Sequence, residues 1–229
     1  LIENNTERLG KNLWTEQLEG EPIVLYQAYN EQDEARFVAD ILKDWMSSGE
    51  LYSDAAVLYR SNAQSRAIEE ALLRASIPYR IYGGLRFYER MEIKNAIAYL
   101  KIIFNHSDNP AFERSISNPT RGVGEKTLAK IRGTAKQFNI SYIKASAKLI
   151  DEGSISGRGG SGLRSYLEFV SRCKEFIEEN PLSDLMEEII KSSGLMAYHA
   201  KEPGEKGKTR VENLEELVTA TKNFEQSIT

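Results

Sequence analysis

Between Asn118 and Arg132 the sequence reads NPTRGVGEKTLAKIR, with Gly122 and Gly124 set two residues apart, directly before apolar residues at helical spacing. Glycine tolerates positive φ and lets a backbone approach closely. The first amide groups of a helix lack partners of their own and carry the positive end of the helix dipole. Such a turn, spanning Thr120, Arg121, Gly122, Val123 and Gly124 and ringed by Arg121, Lys126, Lys130 and Arg132, has the chemistry to hold a backbone phosphate without reading a base, as a helix-hairpin-helix does. A plain turn between two helices, in which glycine only relieves strain, fits the same residues. The pattern alone leaves both readings open.

A second set of residues lies in RSNAQSR (60–66) and GGLRFYER (83–90). Arg60 and Arg86 can meet phosphates, Asn62 can hydrogen-bond a base or sugar edge, and Phe87 or Tyr88 can stack on a base. Arg66 and Arg90 are assigned instead to pairing with Glu69, Glu70, Glu89 or Glu92. Each signal is weak singly. Together they describe a track for a single strand on one edge of an expected sheet.

Three other motifs read as structural. GRGGSG (157–162) has the glycine spacing of a dinucleotide loop but follows a helical segment, so a flexible interhelical loop is expected. GEKGKTR (204–210) ends like a phosphate loop, yet the first glycine of that motif would fall on Glu202 and no strand leads in; a solvated basic loop is expected. DEAR (33–36) opens a helix, where acidic residues suit the positive helix end. With one cysteine, Cys173, and two histidines, His106 and His199, the composition offers neither a disulfide framework nor a zinc site, and no carboxylate cluster for a nuclease stands out. No metal and no catalytic residue is assigned.

The elements that must position these residues fall into two halves. In the first, PIVLYQAY (22–29), AAVLYR (55–60) and YRIYGG (79–84) read as strands alternating with helices over 31–49, 65–76 and 90–105, which predicts a parallel α/β layer. In the second, AFERSISN, EKTLAKIRGTAKQF, SYIKASAKLIDE, SGLRSYLEFVSRCKEFIEEN, LSDLMEEIIKSSG and TRVENLEELVTATKNFE all carry helical periodicity, so an all-α domain is expected. The 229 residues, 41% of them hydrophobic, suffice for a sizeable core, and a net charge of −4 confines any nucleic-acid face to a local patch. No apolar run has the length of a membrane span. Cysteine usage fits a reducing, cytoplasmic setting. The chain opens on LIENN rather than methionine, which reads as the end of a helix in an excerpt of a longer protein.

The stretches AVLYRSNAQSRAIEEALL, IPYRIYGGLRFYERMEIKNAIAYLKII, NPTRGVGEKTL and EKGKTRVENLEELVTAT, in this order and along almost the whole chain, resemble the UvrD/Rep/PcrA DNA helicases. The resemblance implies that residues 1–105 are part of a RecA-like motor domain, called 2A, and that residues 106–229 are most of the helical insertion 2B. It implies single-stranded DNA contacts at Arg60, Asn62 and Arg86, and duplex contacts at Thr120, Arg121, Gly122, Val123, Gly124 and Lys126. It further implies a parent enzyme that hydrolyses ATP with Mg²⁺ and unwinds DNA 3′ to 5′ in nucleotide-excision and mismatch repair. The ATPase motifs of the family do not occur in these residues, so neither cofactor is expected on this segment. Possible partners besides DNA are repair proteins or a second copy. The rival reading is a helical protein-interaction module that docks a repair partner or a second copy of the chain.

Overall fold

The computed structural model of the chain describes residues 22–82 and 84–228; the LIENN opening lies outside the described residues, as does Gly83. Among the described residues there are ten α-helices and no β-strand. The helices are α1 (Glu31–Ser47), α2 (Ser65–Arg74), α3 (Met91–Phe104), α4 (Asn109–Ser117) and α5 (Glu125–Phe138), followed by α6 (Tyr142–Asp151), α7 (Gly157–Glu179), α8 (Leu182–Ser192), α9 (Leu195–Ala200) and α10 (Glu205–Ile228).

The expected parallel α/β layer is therefore corrected to a helical arrangement. Among the described residues, the three segments read as strands form no ladder with one another. A helix satisfies its amides internally, whereas a strand exists only when a neighbour about 4.8 Å away supplies the partners. Here α1 and α2 pack against each other instead of across a sheet. Several of the apolar residues that suggest strands are left in solvent, with Ile23 96%, Leu25 93% and Leu58 93% exposed.

The helices follow their sequence signals closely. Asn30 caps α1 by accepting the Asp33 N–H at 2.8 Å, and Asp33 in turn accepts the Tyr29 N–H at 3.1 Å and the Tyr26 hydroxyl at 2.9 Å. The acidic DEAR stretch thus closes a helix end, as its position suggests. These bonds, the Tyr29 N–H first, hold the Asp33 carboxyl below the usual carboxylate range. In α5 the buried residues Leu128, Ile131 and Ala135 recur at helical spacing, and Asn139 ends the helix in the left-handed region at φ +51°. α7 differs from expectation: it begins at Gly157, so GRGGSG forms its first turns and is not a loop. α10 likewise begins at Glu205 and takes up the GEKGKTR stretch.

One large apolar core runs from Phe87 through α3, α4, α5, α6, α7 and α8 to Leu217 of α10. At its centre the Phe112 and Tyr166 rings meet edge to face at 5.4 Å, and Tyr99 packs edge to face on Phe169 at 5.7 Å. A much smaller cluster of Ala39, Leu72 and Ile77 joins α1 and α2. α10 links the two: Asn213 bonds Arg90 and Glu92, Glu216 pairs with Arg66, and Asn223 donates to Glu31.

Candidate nucleic-acid interface

The turn between α4 and α5 stands on that core. Tyr99 donates its hydroxyl to the Asn118 carbonyl at 2.8 Å, and Ser115 Oγ lies 2.6 Å from the Tyr166 hydroxyl. Burial pushes the pKa of both tyrosines up, so they remain neutral donors. Arg121 turns inward. Its guanidinium donates to the carbonyls of Ser115 at 3.2 Å, Pro119 at 2.9 Å and Ser193 at 2.7 Å, and lies 5.4 Å and 5.6 Å from the Tyr99 and Tyr166 ring centres. A planar five-donor fork suits several carbonyls at once, as an ammonium would not.

Beyond this support the chain crosses Gly122, at φ +75°, and enters α5 with Gly124 in the capping position. The amides of residues 122–126 donate to no acceptor among the described residues. Thr120, Gly122, Gly124 and Lys126 are exposed, and Val123 packs partly against the core. Lys130 reaches the Ser154 carbonyl at 3.2 Å, while Arg132 is engaged by Glu113 at 2.6 and 2.7 Å and by Glu125 at 2.5 Å. Those bonds, Glu113 first, raise the Arg132 pKa. Of the four cations expected around the turn, Lys126 is the one left with no bonded partner among the described residues.

The start of α7 supplies what sequence reading missed. A Cβ on Gly162 would lie 1.9 Å from the Arg121 carbonyl, one on Gly159 3.1 Å from the Gly122 carbonyl, and one on Gly122 2.8 Å from Cγ of Arg158. Gly159 and Gly162 of GRGGSG form the seat on which the RGVG turn rests, and Arg158, exposed, lies along Gly122. The two glycine motifs are one structure. The signal was present as matching glycine pairs in two segments, but nothing in the sequence says that they touch.

Arg60, Asn62 and Arg86 are all exposed. Of the three, Asn62 is held by Arg90, only 8% exposed, which donates to the Asn62 carbonyl at 2.9 Å and also to the Leu85 carbonyl at 3.3 Å, Ser65 Oγ at 2.8 Å and Asn213 Oδ1 at 2.8 Å. Arg90 thus bonds no carboxylate directly, contrary to expectation, and burial lowers its pKa. Arg66 pairs with Glu70 as expected, at 3.1 Å, and also with Glu31 and Glu216. Arg86 lies over the Tyr79 ring at 5.3 Å. Phe87 is buried in the core and cannot stack on a base, and the Tyr88 hydroxyl donates to Glu70 at 3.1 Å. Burial and that carboxylate push the Tyr88 pKa up to about 12.

Among the described residues, the run that ends like a phosphate loop is helical and presents no glycine loop to a triphosphate. Among the described residues no group of His, Cys, Asp or Glu side chains is placed to hold a metal ion. The Gly-Lys-Thr run 207–209 lies within α10, where a Cβ on Gly207 would be 2.4 Å from the Glu202 carbonyl and 2.8 Å from that of His199. That glycine faces protein, not a phosphate. No helix among the described residues is long and apolar enough to cross a membrane.

Comparison with known proteins gives consistent relatives. The model of the UvrD-like helicase C-terminal domain matches residues 1–228. DNA helicase II of Escherichia coli is 50% identical over 224 residues, covering 98% of this chain and 31% of the relative. DNA helicase II of Haemophilus influenzae gives the same identity and coverage. The ATP-dependent DNA helicase PcrA of Bacillus subtilis is 38% identical over 227 residues, 99% of this chain and 31% of its own. The chain spans about a third of the length of these relatives.

Proposed function

This chain belongs to the UvrD-like helicase C-terminal domain family, and from that premise we propose that it is the part of an ATP-dependent 3′-to-5′ DNA helicase that grips the DNA backbone. The parent protein acts in nucleotide-excision and mismatch repair, takes its ATP and Mg²⁺ elsewhere in its length, and works in the cytoplasm. Residues 106–229 hold duplex through the α4–α5 turn, and residues 1–105 hold the single strand through Arg60, Asn62 and Arg86. The segment itself hydrolyses no ATP.

The observation that carries this reading is the turn at 122–126, with its amides unpaired, Gly122 at positive φ, and Lys126 and Arg158 beside it. Amides fixed in this way bind a phosphate oxygen without reorganising and without regard to base identity. In this account Thr120, Gly122, Val123, Gly124 and Lys126 contact duplex directly or with their backbone, and Arg121 acts through the turn that it positions.

Fluorescence anisotropy of a labelled duplex with a 3′ single-stranded tail, titrated with the chain, tests the reading. Affinity is expected to be sequence-indifferent and to fall steeply with salt. Gly122→Val, strained at its φ and pushed into Arg158, is expected to lose the duplex while keeping its helical circular dichroism. A folded chain indifferent to DNA at low salt would overturn the proposal in favour of a protein-docking module.

A further inference from the structure

A cavity of about 360 Å³ opens between the Asn62 turn and the start of α10. Its size falls in the roughly 300–1,000 Å³ range of small-ligand sites. The 81–91 stretch lines it with Ile81, Leu85 and Met91 and the exposed Tyr82, and α10 lines it with Lys206 and Thr209. The other charges at the site are committed internally. Arg90 holds Asn62 and Asn213, Arg210 pairs with Glu202 at 2.5 Å, and Glu92 accepts the Asn213 amide at 2.7 Å. Lys206 and Thr209 have no such partner among the described residues, and neither does the Asn62 side-chain amide. Gly207 lets α10 begin tight against the carbonyls of His199 and Glu202, which fixes the side on which Lys206 and Thr209 stand.

We propose that this cavity takes one nucleotide of single-stranded nucleic acid, with the base against Tyr82 and Leu85 and a backbone phosphate on the Lys206 ammonium and the Thr209 hydroxyl. The inference rests on the reading that Asn62 lies on the single-strand track, and extends that track from the 60–62 turn onto α10. Apolar and aromatic side chains for the base, with a cation and hydroxyl for the phosphate, are the division of labour that sequence-indifferent single-strand sites use. Lys206 and Thr209, three residues apart, share one face of α10, so an ammonium and a hydroxyl there can bond two oxygens of the same phosphate.

The test is a titration of a fluorescein-labelled oligothymidylate with the unaltered chain and with Lys206→Gln, Thr209→Val, Tyr82→Ala and Arg60→Gln, each over a range of salt. Lys206→Gln is expected to weaken binding about tenfold at low salt and to reduce the slope of log K against log salt by about 0.7, one phosphate on a single strand. Thr209→Val and Tyr82→Ala are expected to weaken binding with the slope unchanged. If Arg60→Gln lowers the slope and Lys206→Gln does not, the inference is overturned while the single-strand reading stands. If none of the variants alters binding, or the unaltered chain binds no oligonucleotide, the reading falls and the inference with it.

Discussion

At the 120–126 turn the backbone rests on a packed aromatic core, whereas the 60–62 turn is held by polar contacts, through Gln64, Arg90 and Glu212. In both places an arginine that points inward arranges the groups that point outward. Arg121 collects three carbonyls between two tyrosine rings, and Arg90 collects two carbonyls, a hydroxyl and an amide. The difference lies beneath the arginine. Under the glycine turn are Tyr99, Tyr166 and the seat of α7; under the 60–62 turn is one helix, α10, reached through Asn213 and Glu212. A surface that must hold a phosphate at fixed geometry gains from the first arrangement, and one that follows a flexible strand can be built on the second.

Removing each arginine is the strongest way to break this comparison. Arg121→Leu removes the guanidinium from three carbonyls and leaves Ser115's with only the long Asn118 N–H bond at 3.4 Å, and a loss of about 3 kcal/mol in urea denaturation is expected, with duplex binding lost at the same time. Arg121→Lys keeps the charge but not the fork, and is expected to recover only part of that loss. Arg90→Leu is expected to cost about 2 kcal/mol and to weaken oligonucleotide binding more than duplex binding.

The glycine seat can be probed with a smaller change. Gly162→Ala puts a Cβ 1.9 Å from the Arg121 carbonyl, so α7 and the turn must separate; destabilisation of about 1–3 kcal/mol and weaker duplex binding are expected. Gly133→Ala, inside α5 with open space around it, is expected instead to stabilise by about 0.5–1 kcal/mol and to leave binding unchanged.

Alkaline pH sharpens the contrast further. Burial pushes the Cys173 thiol up to about 11 and raises the Tyr99 and Tyr166 hydroxyls above their ordinary value of 10.0. Above the unfolded pKa values the unfolded chain loses protons that the folded chain keeps, so stability falls as pH rises from about 9 to 11. Urea midpoints across that interval should decline. Cys173 should react with a thiol reagent only as fast as the core opens.

Most of the helices were legible in the sequence because a helix is a local object: the apolar spacing of Leu128, Ile131 and Ala135 and the Asn30–Asp33 cap are written within one segment. The strands were misread because a short apolar run, such as those that hold Ile23, Leu25 and Leu58, says nothing about a partner to pair with. The glycine turn was legible as a backbone feature, and its seat was not, because Gly159 and Gly162 acquire meaning only when α7 meets Arg121. Arginine is the hardest residue to read. Arg121, Arg86 and Arg158 look alike in sequence, and one of them faces the core.

The most direct measurement of the central claim is the salt dependence of duplex binding by the unaltered chain, Lys126→Gln, and the double variant Lys126→Gln/Arg158→Gln, with Arg86→Gln as the comparison. If the turn grips phosphates with these two cations, the slope of log K against log salt falls by about 0.9 for the single variant and about 1.8 for the double, while Arg86→Gln leaves the duplex slope unchanged. A slope that stays the same in the double variant would contradict the account, and would leave the two glycine motifs as packing alone.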